Sequence, residues 1–146
     1  MARGDNWIGQ VVNEIEHSRD WSSTAIFITY DDCGCFYDHV RPGKNPDGTP
    51  QGIRLPLVIV SPYAKAGYTD SRPASLASIL RFTENTFGLK ALDVNDARAY
   101  GYADAFNFAA QPTGARVQLR EYAVPAASRH FLASHPVAEE DEDDPT

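Results

Sequence analysis

Near the amino terminus, apolar residues Trp7, Ile8, Val11, Val12 and Ile15 recur at i, i+1, i+4, i+5 and i+8. That spacing lines one face of a 3.6-residue period and predicts an amphipathic helix through about His17, with Asp5 as its N-cap. After the turn-like "SRDWSS", the run "TAIFITY" is nearly continuous, β-rich and apolar, so it reads as a strand covered on both faces. It stops at two adjacent aspartates, Asp31 and Asp32. The stretch Arg41–Gly52, "RPGKNPDGTPQG", carries the prolines and glycines of an irregular surface loop. A second strand, Leu57–Ser61, comes next and is stopped by Pro62. In "SLASILRFTENTFG", Leu76, Ile79, Leu80 and Phe87 space an apolar helix face that Gly88 can terminate.

Helix, strand, long loop, strand, helix is the order expected of an α/β layered sheet. Beyond Ala91, "DVNDARAYGYADAFNFAAQP" reads as a short helix or irregular turns, and Pro125 and Pro136 interrupt the remainder of the chain. Residues 137–146 carry a run of acids with nothing apolar to bury, and disorder is the expectation there.

Composition narrows the function classes. At 146 residues the chain has one domain's worth of length, enough to bury a core without covalent staples. No apolar run approaches a bilayer span. The opening "MARGDNWIGQ" lacks the apolar stretch of an export signal, so a cytoplasmic location is expected of the chain as it stands. Of the formal charge of −7, six negative charges fall in Glu139–Asp144, leaving a body near −1. Such a body offers no concentrated basic surface for nucleic acid.

Cys33 and Cys35 provide no disulfide framework, because a bridge across one intervening residue closes a very small, strained loop. Together with His39 they could supply three zinc ligands, but no second Cys or His pair occurs at zinc-finger spacing. As nucleophiles they are poorly served, since neighbouring aspartates raise a thiol's pKa. No nucleophile elbow, phosphate loop or dinucleotide fingerprint occurs.

The acidic pair carries the chemistry. In open α/β sheets ligands bind beyond the carboxyl ends of strands, where the pattern puts Asp31 and Asp32. Adjacent carboxylates repel and resist desolvation unless a cation or strong donors neutralise them, and a divalent metal does this economically. Gly34 would let the backbone turn so that both reach one ion. The alternative is a pair that caps a turn or lies solvated in a loop. His39 has two readings as well: a hydrogen-bonded packing residue, or an acid–base group in the site.

The segments "GDNWIGQVVNEIEHSRDWSSTAIFITYDDCGCFYDHV", "RLPLVIVSPYAKAGYTD" and "SILRFTENTFGL" resemble, in order and spacing, the later part of the bacterial phosphoesterase family that contains phospholipases C and a related acid phosphatase. The resemblance runs from about Gly4 to Phe108 and is most specific in "ITYDDCGCFYDHV". It implies a partial alkaline-phosphatase-like α/β/α sandwich over residues 1–136, with the acidic tail 137–146 after it, and cleavage of phosphoric esters. Asp31 and Asp32 fall on the family's acidic metal-ligand pair, where relatives often carry Asp-Glu, and His39 on the histidine of the following Asp-His, in a supporting catalytic role. The implied cofactor is a divalent ion; oxygen ligands suit Ca²⁺, Mg²⁺ or Mn²⁺. Cys33 and Cys35 stand where relatives often have small or polar residues.

Relatives also carry an amino-terminal half with a Glu-Asn metal-binding pair, a Ser or Thr nucleophile and further histidines, and nothing before Met1 supplies these. Asp5-Asn6 starts the helix ahead of the metal strand, and Ser22, Ser23 and Thr24 open that strand about 20 Å from the aspartates. Two expectations arise. The chain is the carboxyl-terminal portion of a phosphoester or phospholipid hydrolase, completed by an amino-terminal fragment. Otherwise it is a non-catalytic remnant or interaction module, whose uncovered strand edges favour self-association. Many relatives are exported by a signal at the end this chain lacks.

Overall fold

The computed structural model describes residues 2–31, 37–113, 116–117 and 120–135. In chain order the elements are helix α1 (Ala2–Glu16), a 3₁₀ turn (Trp21–Ser23), strand β1 (Ile26–Thr29), strand β2 (Leu57–Val60), helices α2 (Ala77–Phe87) and α3 (Val94–Ala97), a second 3₁₀ turn (Ala103–Ala105) and helix α4 (Ala126–Ser134). The chain divides into two units: Met1–Ser18 with Val117–Thr146, and Arg19–Arg116.

In the first unit, α1 begins at Ala2, four residues ahead of the start expected after an Asp5 N-cap. Asp5 therefore lies inside the first turn rather than capping it, where its negative charge still complements the exposed N–H groups. Val12 is buried, whereas Trp7 is 64% exposed. Two contacts tie the distant carboxyl-terminal segment to α1. The Asn6 side chain exchanges hydrogen bonds with the Tyr122 backbone, at 2.8 and 2.9 Å. Buried Glu16 accepts from the Val117 N–H at 3.0 Å through Oε1. Helix α4, which the prolines had concealed, starts directly after Pro125, whose fixed φ suits a residue preceding a helix. The expected disordered tail, 137–146, lies outside the described residues.

The second unit is built on β1 and β2, paired antiparallel with Ile26 opposite Val60 and Thr29 opposite Leu57. Side chains alternate across a strand, so Phe27, Leu57 and Ile59 share one face. That face packs on the core of Tyr102, Ala105 and Phe106, together with Ile79, Phe82 and Tyr63. On the other face Val58 is 54% exposed. The described strands form a two-stranded antiparallel ladder in a mixed α/β chain.

Aromatic rings fill the core. Phe27 meets Phe82 edge-on at 5.0 Å between centroids, Phe82 stacks on Phe106 at 5.0 Å, and Phe106 stacks in turn on Phe108 at 5.0 Å. Offset and edge-on pairs of this kind add about 0.5–1.5 kcal/mol each beyond area burial. The segment carrying Phe106 is fastened beside the residues after β2 by Lys65 N–H to the Ala105 carbonyl (2.9 Å) and Asn107 N–H to the Tyr63 carbonyl (2.8 Å).

Helix α2 ends as its sequence requires. Gly88 adopts φ 65°, ψ 30° at the C-cap, with its N–H donating to the Glu84 carbonyl. Its buried face was legible only in part: Ile79 packs on the core as expected, whereas Leu76, Leu80 and Phe87 are exposed and Ser78, Phe82 and Glu84 turn inward. The aromatic core selects Phe82, and Ser78 is small enough to be buried completely.

Candidate functional site

The site is built on the end of the β1–β2 ladder. Asp31 comes after β1 in a bend and is exposed. Because the strands run antiparallel, this is the carboxyl end of β1 and the amino end of β2. Thr29 marks that end: it pairs with Leu57, and its hydroxyl donates to the Pro56 carbonyl at 2.9 Å. The residues just before β2 therefore share the sheet end from which Asp31 emerges. Asp32, with Cys33, Gly34 and Cys35, lies outside the described residues.

Asp38 is where the chain is pinned again. Its carboxylate receives a two-pronged grip from Arg54, Nε to Oδ2 at 2.7 Å and Nη2 to Oδ1 at 2.9 Å. Backbone N–H groups add to it, Val40 to Oδ1 at 3.1 Å and Arg54 to Oδ2 at 3.3 Å. The Arg54 guanidinium, with these backbone donors after it, holds the Asp38 carboxyl well below the usual carboxylate range. Asp38 in turn raises Arg54 above its ordinary value. The bidentate geometry is the strong form of an Arg–carboxylate contact.

His39 stands beside this clamp. Its side chain is 80% exposed, and its Nδ1 lies 3.8 Å from Asp38 Oδ1, beyond hydrogen-bond reach. Asp38 thus spends its lone pairs on Arg54 and backbone, and does not orient the imidazole. Sequence reasoning selected His39 and passed over Asp38 and Arg54. The signal was present in the strand register: with two antiparallel strands, a residue shortly before the second meets residues shortly after the first.

The loop 41–52 carries no helix or strand, as its prolines and glycines imply, yet it is pinned at several points. Lys44 and Pro50 form an isolated bridge, and Asp47 accepts from both the N–H and hydroxyl of Thr49, at 2.8 and 2.6 Å. Asn95 on α3 donates to Asp47 at 3.0 Å, and this bond with those from Thr49 lowers the Asp47 pKa. Helix α3 is itself closed by a capping box between Asp93 and Asp96.

Beneath α3 lies a buried acid pair. Glu84 and Asp96 are each 2% exposed. Burial would raise Asp96, yet N–H donation from Leu92 (2.6 Å) and Asp93 (2.9 Å), with Glu84, holds it well below the ordinary range. Glu84 moves the other way, pushed up by burial first and by the Asp96 charge beside it. The two shifts run in opposite directions: its donors favour the Asp96 carboxylate, while burial and the neighbouring charge hold the Glu84 proton more tightly than usual.

A further charged cluster lies between the segment after β2 and the turn Ala103–Ala105. Arg72 grips Asp70 through Nε and Nη2 (2.9 and 2.8 Å), contacts Asp104, and lies 4.0 Å over the Tyr100 ring. Burial, then Asp70, pushes the Tyr100 hydroxyl up to about 12. Each charge in this cluster has a partner within it, the pattern of a structural network.

The hydroxyls considered as nucleophiles sit at the other end of β1. Ser23 and Thr24 both donate to the Asp20 carbonyl, at 3.1 and 2.7 Å. Among the described residues, no three His, Cys, Asp or Glu side chains converge as metal ligands. Asp31 supplies one exposed carboxylate, a hard oxygen donor of the type that Ca²⁺, Mg²⁺ and Mn²⁺ accept.

Residues 1–90 match the model of the phosphoesterase family. The chain belongs to the phosphoesterase family. That match spans α1, both strands, Asp31, the Asp38–Arg54 clamp and all of α2. The chain is similar to "Non-hemolytic phospholipase C" of Burkholderia pseudomallei, 31% identical over 85% of this chain and 23% of that protein. It is similar also to "Phospholipase C A" of Mycobacterium tuberculosis, 28% identical over 68% of this chain and 24% of the relative. A plant relative, "Non-specific phospholipase C1" of Arabidopsis thaliana, is 34% identical over 50% of this chain and 16% of its own length. The chain thus spans about a quarter of the first two of these relatives. Among the described residues, no helix of this phosphoesterase-family chain is long and apolar enough to cross a membrane.

Proposed function

We propose that this chain is the carboxyl-terminal part of a phosphoric-ester hydrolase of phospholipase C or acid phosphatase type, contributing Asp31 and Asp32 to a divalent-metal site in an alkaline-phosphatase-like α/β/α sandwich. The observation that carries the reading is the family match over residues 1–90, within which Asp31 emerges at the end of β1. When bound, the metal would neutralise charge on the phosphoryl oxygens. This chain's own part is narrower: the aspartates offer carboxylate oxygens, and the Asp38–Arg54 clamp fixes where the chain returns to the ladder end, leaving His39 exposed beside it. The attacking hydroxyl would come from a partner segment, since Ser23 and Thr24 are tied to Asp20 at the far end of β1.

Calorimetric titration of Ca²⁺, Mg²⁺, Mn²⁺ and Zn²⁺ into the full chain tests the metal half of the reading, with the Asp31→Asn, Asp32→Asn double variant as control. Binding that disappears in the variant is expected. A folded chain that binds none of the ions sinks the metal site. Hydrolysis of phosphomonoester and phosphodiester probes, with the amino-terminal remainder of a phosphoesterase supplied in trans, tests the enzymatic half.

The exposed apolar residues Leu76 (52%), Phe87 (72%) and Leu92 (81%) favour a second reading, a non-catalytic interaction module. Under that reading the aspartates bind no ion and the chain self-associates or captures a partner.

A further inference from the structure

Arg54 grips the Asp38 carboxylate, and His39, the next residue along the chain, stands beside that clamp with its Nδ1 3.8 Å from Asp38 Oδ1. The carboxylate is nearly covered, its side chain 9% exposed, while Arg54 and His39 remain 63% and 80% exposed. Asp38 therefore anchors Arg54, and Arg54 and His39 both face water.

The hydrogen-bond inventory of Arg54 is the second observation. A guanidinium carries five N–H groups in a rigid fork. Asp38 takes the one on Nε and one on Nη2, which leaves three, including both on Nη1, without a hydrogen bond among the described residues. A guanidinium fixed along one edge and exposed along the other is pre-organised for a second oxyanion, because little further side-chain entropy is lost when that anion arrives.

Placement supplies the third. Arg54 lies three residues before Leu57, the partner of Thr29, so it shares the sheet end from which Asp31 emerges.

We propose that Arg54, seated on Asp38, and the exposed His39 beside it form a binding site for a phosphate group, with Arg54 donating from Nη1 and Nη2 and His39 from its ring N–H. The site takes the chemistry shared by inorganic phosphate and a phosphoester headgroup. The inference rests on the phosphoesterase reading for its choice of anion, but it requires neither the metal nor the missing hydroxyl.

The test is a titration of the full chain in EDTA-containing buffer, monitored through the ring signals of His39 in NMR spectra, with inorganic phosphate in one arm and glycerophosphocholine in the other. Saturable binding of phosphate is expected, weakened about tenfold or more in Arg54→Gln, as loss of a charge-assisted contact implies. His39→Ala leaves the Asp38–Arg54 clamp intact and should weaken binding by a smaller factor, read from the phosphorus signal. Binding of phosphate alone supports a site for a terminal phosphate; binding of both anions supports one that also accepts a diester headgroup. Thermal melts of each variant establish that it is folded, and Arg54→Lys, which keeps the charge without the fork, serves if Arg54→Gln is not. Equal binding by wild type and a folded Arg54 variant overturns the proposal, as does a wild-type chain with no saturable binding of either anion. Since metal is absent throughout, these failures leave the calorimetric ion titrations unaffected, and loss of ion binding leaves this result standing.

Discussion

Asp47 and Asn95, in segments 48 residues apart, hold each other reciprocally: Asn95 Nδ2 donates to Asp47 Oδ2 at 3.0 Å, and the Asp47 N–H donates to Asn95 Oδ1 at 3.2 Å. Through this pair the loop that comes after His39 is fastened to α3.

Replacing Asn95 by Ala should release that loop without unfolding the unit, because the phenylalanine core does not involve it. Hydrogen exchange at Asn45 and Gly48, whose N–H groups donate within the loop, should accelerate. Asn95→Asp should be the more damaging change near neutral pH, since it sets two carboxylates face to face. Its defect should diminish in acid as one of them takes up a proton. Unchanged exchange in both variants would show that the loop is held by its own turn alone.

The buried pair of Glu84 and Asp96 predicts a particular pH dependence. Glu84 has a folded pKa raised above its ordinary 4.5, so the fold binds its proton more tightly than the unfolded chain. Its contribution is thus fully present below 4.5 and is lost as pH rises through the folded value. Asp96, depressed from 3.8, behaves oppositely and weakens the fold as pH falls below its ordinary value. Denaturant midpoints measured across pH should therefore decline on the alkaline side of 4.5, and Glu84→Gln should flatten that decline while leaving the acid limb in place. A variant whose alkaline slope matches wild type would exclude Glu84 as its source.

Phe106 is 4% exposed and touches Phe27, Phe82 and Phe108 through its ring. Truncation to Ala removes the centre of the aromatic cluster and should cost about 3–5 kcal/mol in a denaturant titration. For a domain of ordinary marginal stability that is a large fraction of the total. Phe87→Ala, at an exposed ring on α2, should cost far less; equal losses in the two variants would mean that the aromatic cluster is not the core of this unit.

Much of the architecture was legible because it is encoded locally. The two strands arise from short β-rich runs ended by Asp31 and Pro62, and the close of α2 from Gly88, which alone among the residue types enters the left-handed region without a steric penalty. Family membership was legible too, from ordered motifs whose spacing survives divergence. What the tertiary structure decided was which side of each element faces inward and which distant groups meet. Spacing on α2 offered the stripe Leu76, Ile79, Leu80, Phe87, of which Ile79 alone packs on the core, while Ser78, Phe82 and Glu84 also turn inward, because a periodic pattern marks candidate faces and only the opposing surface selects one. The same holds for Asp38: sequence reasoning passed over it, and the antiparallel register brought it Arg54. A carboxylate binds the strongest donor set within its reach, and reach is fixed by the fold.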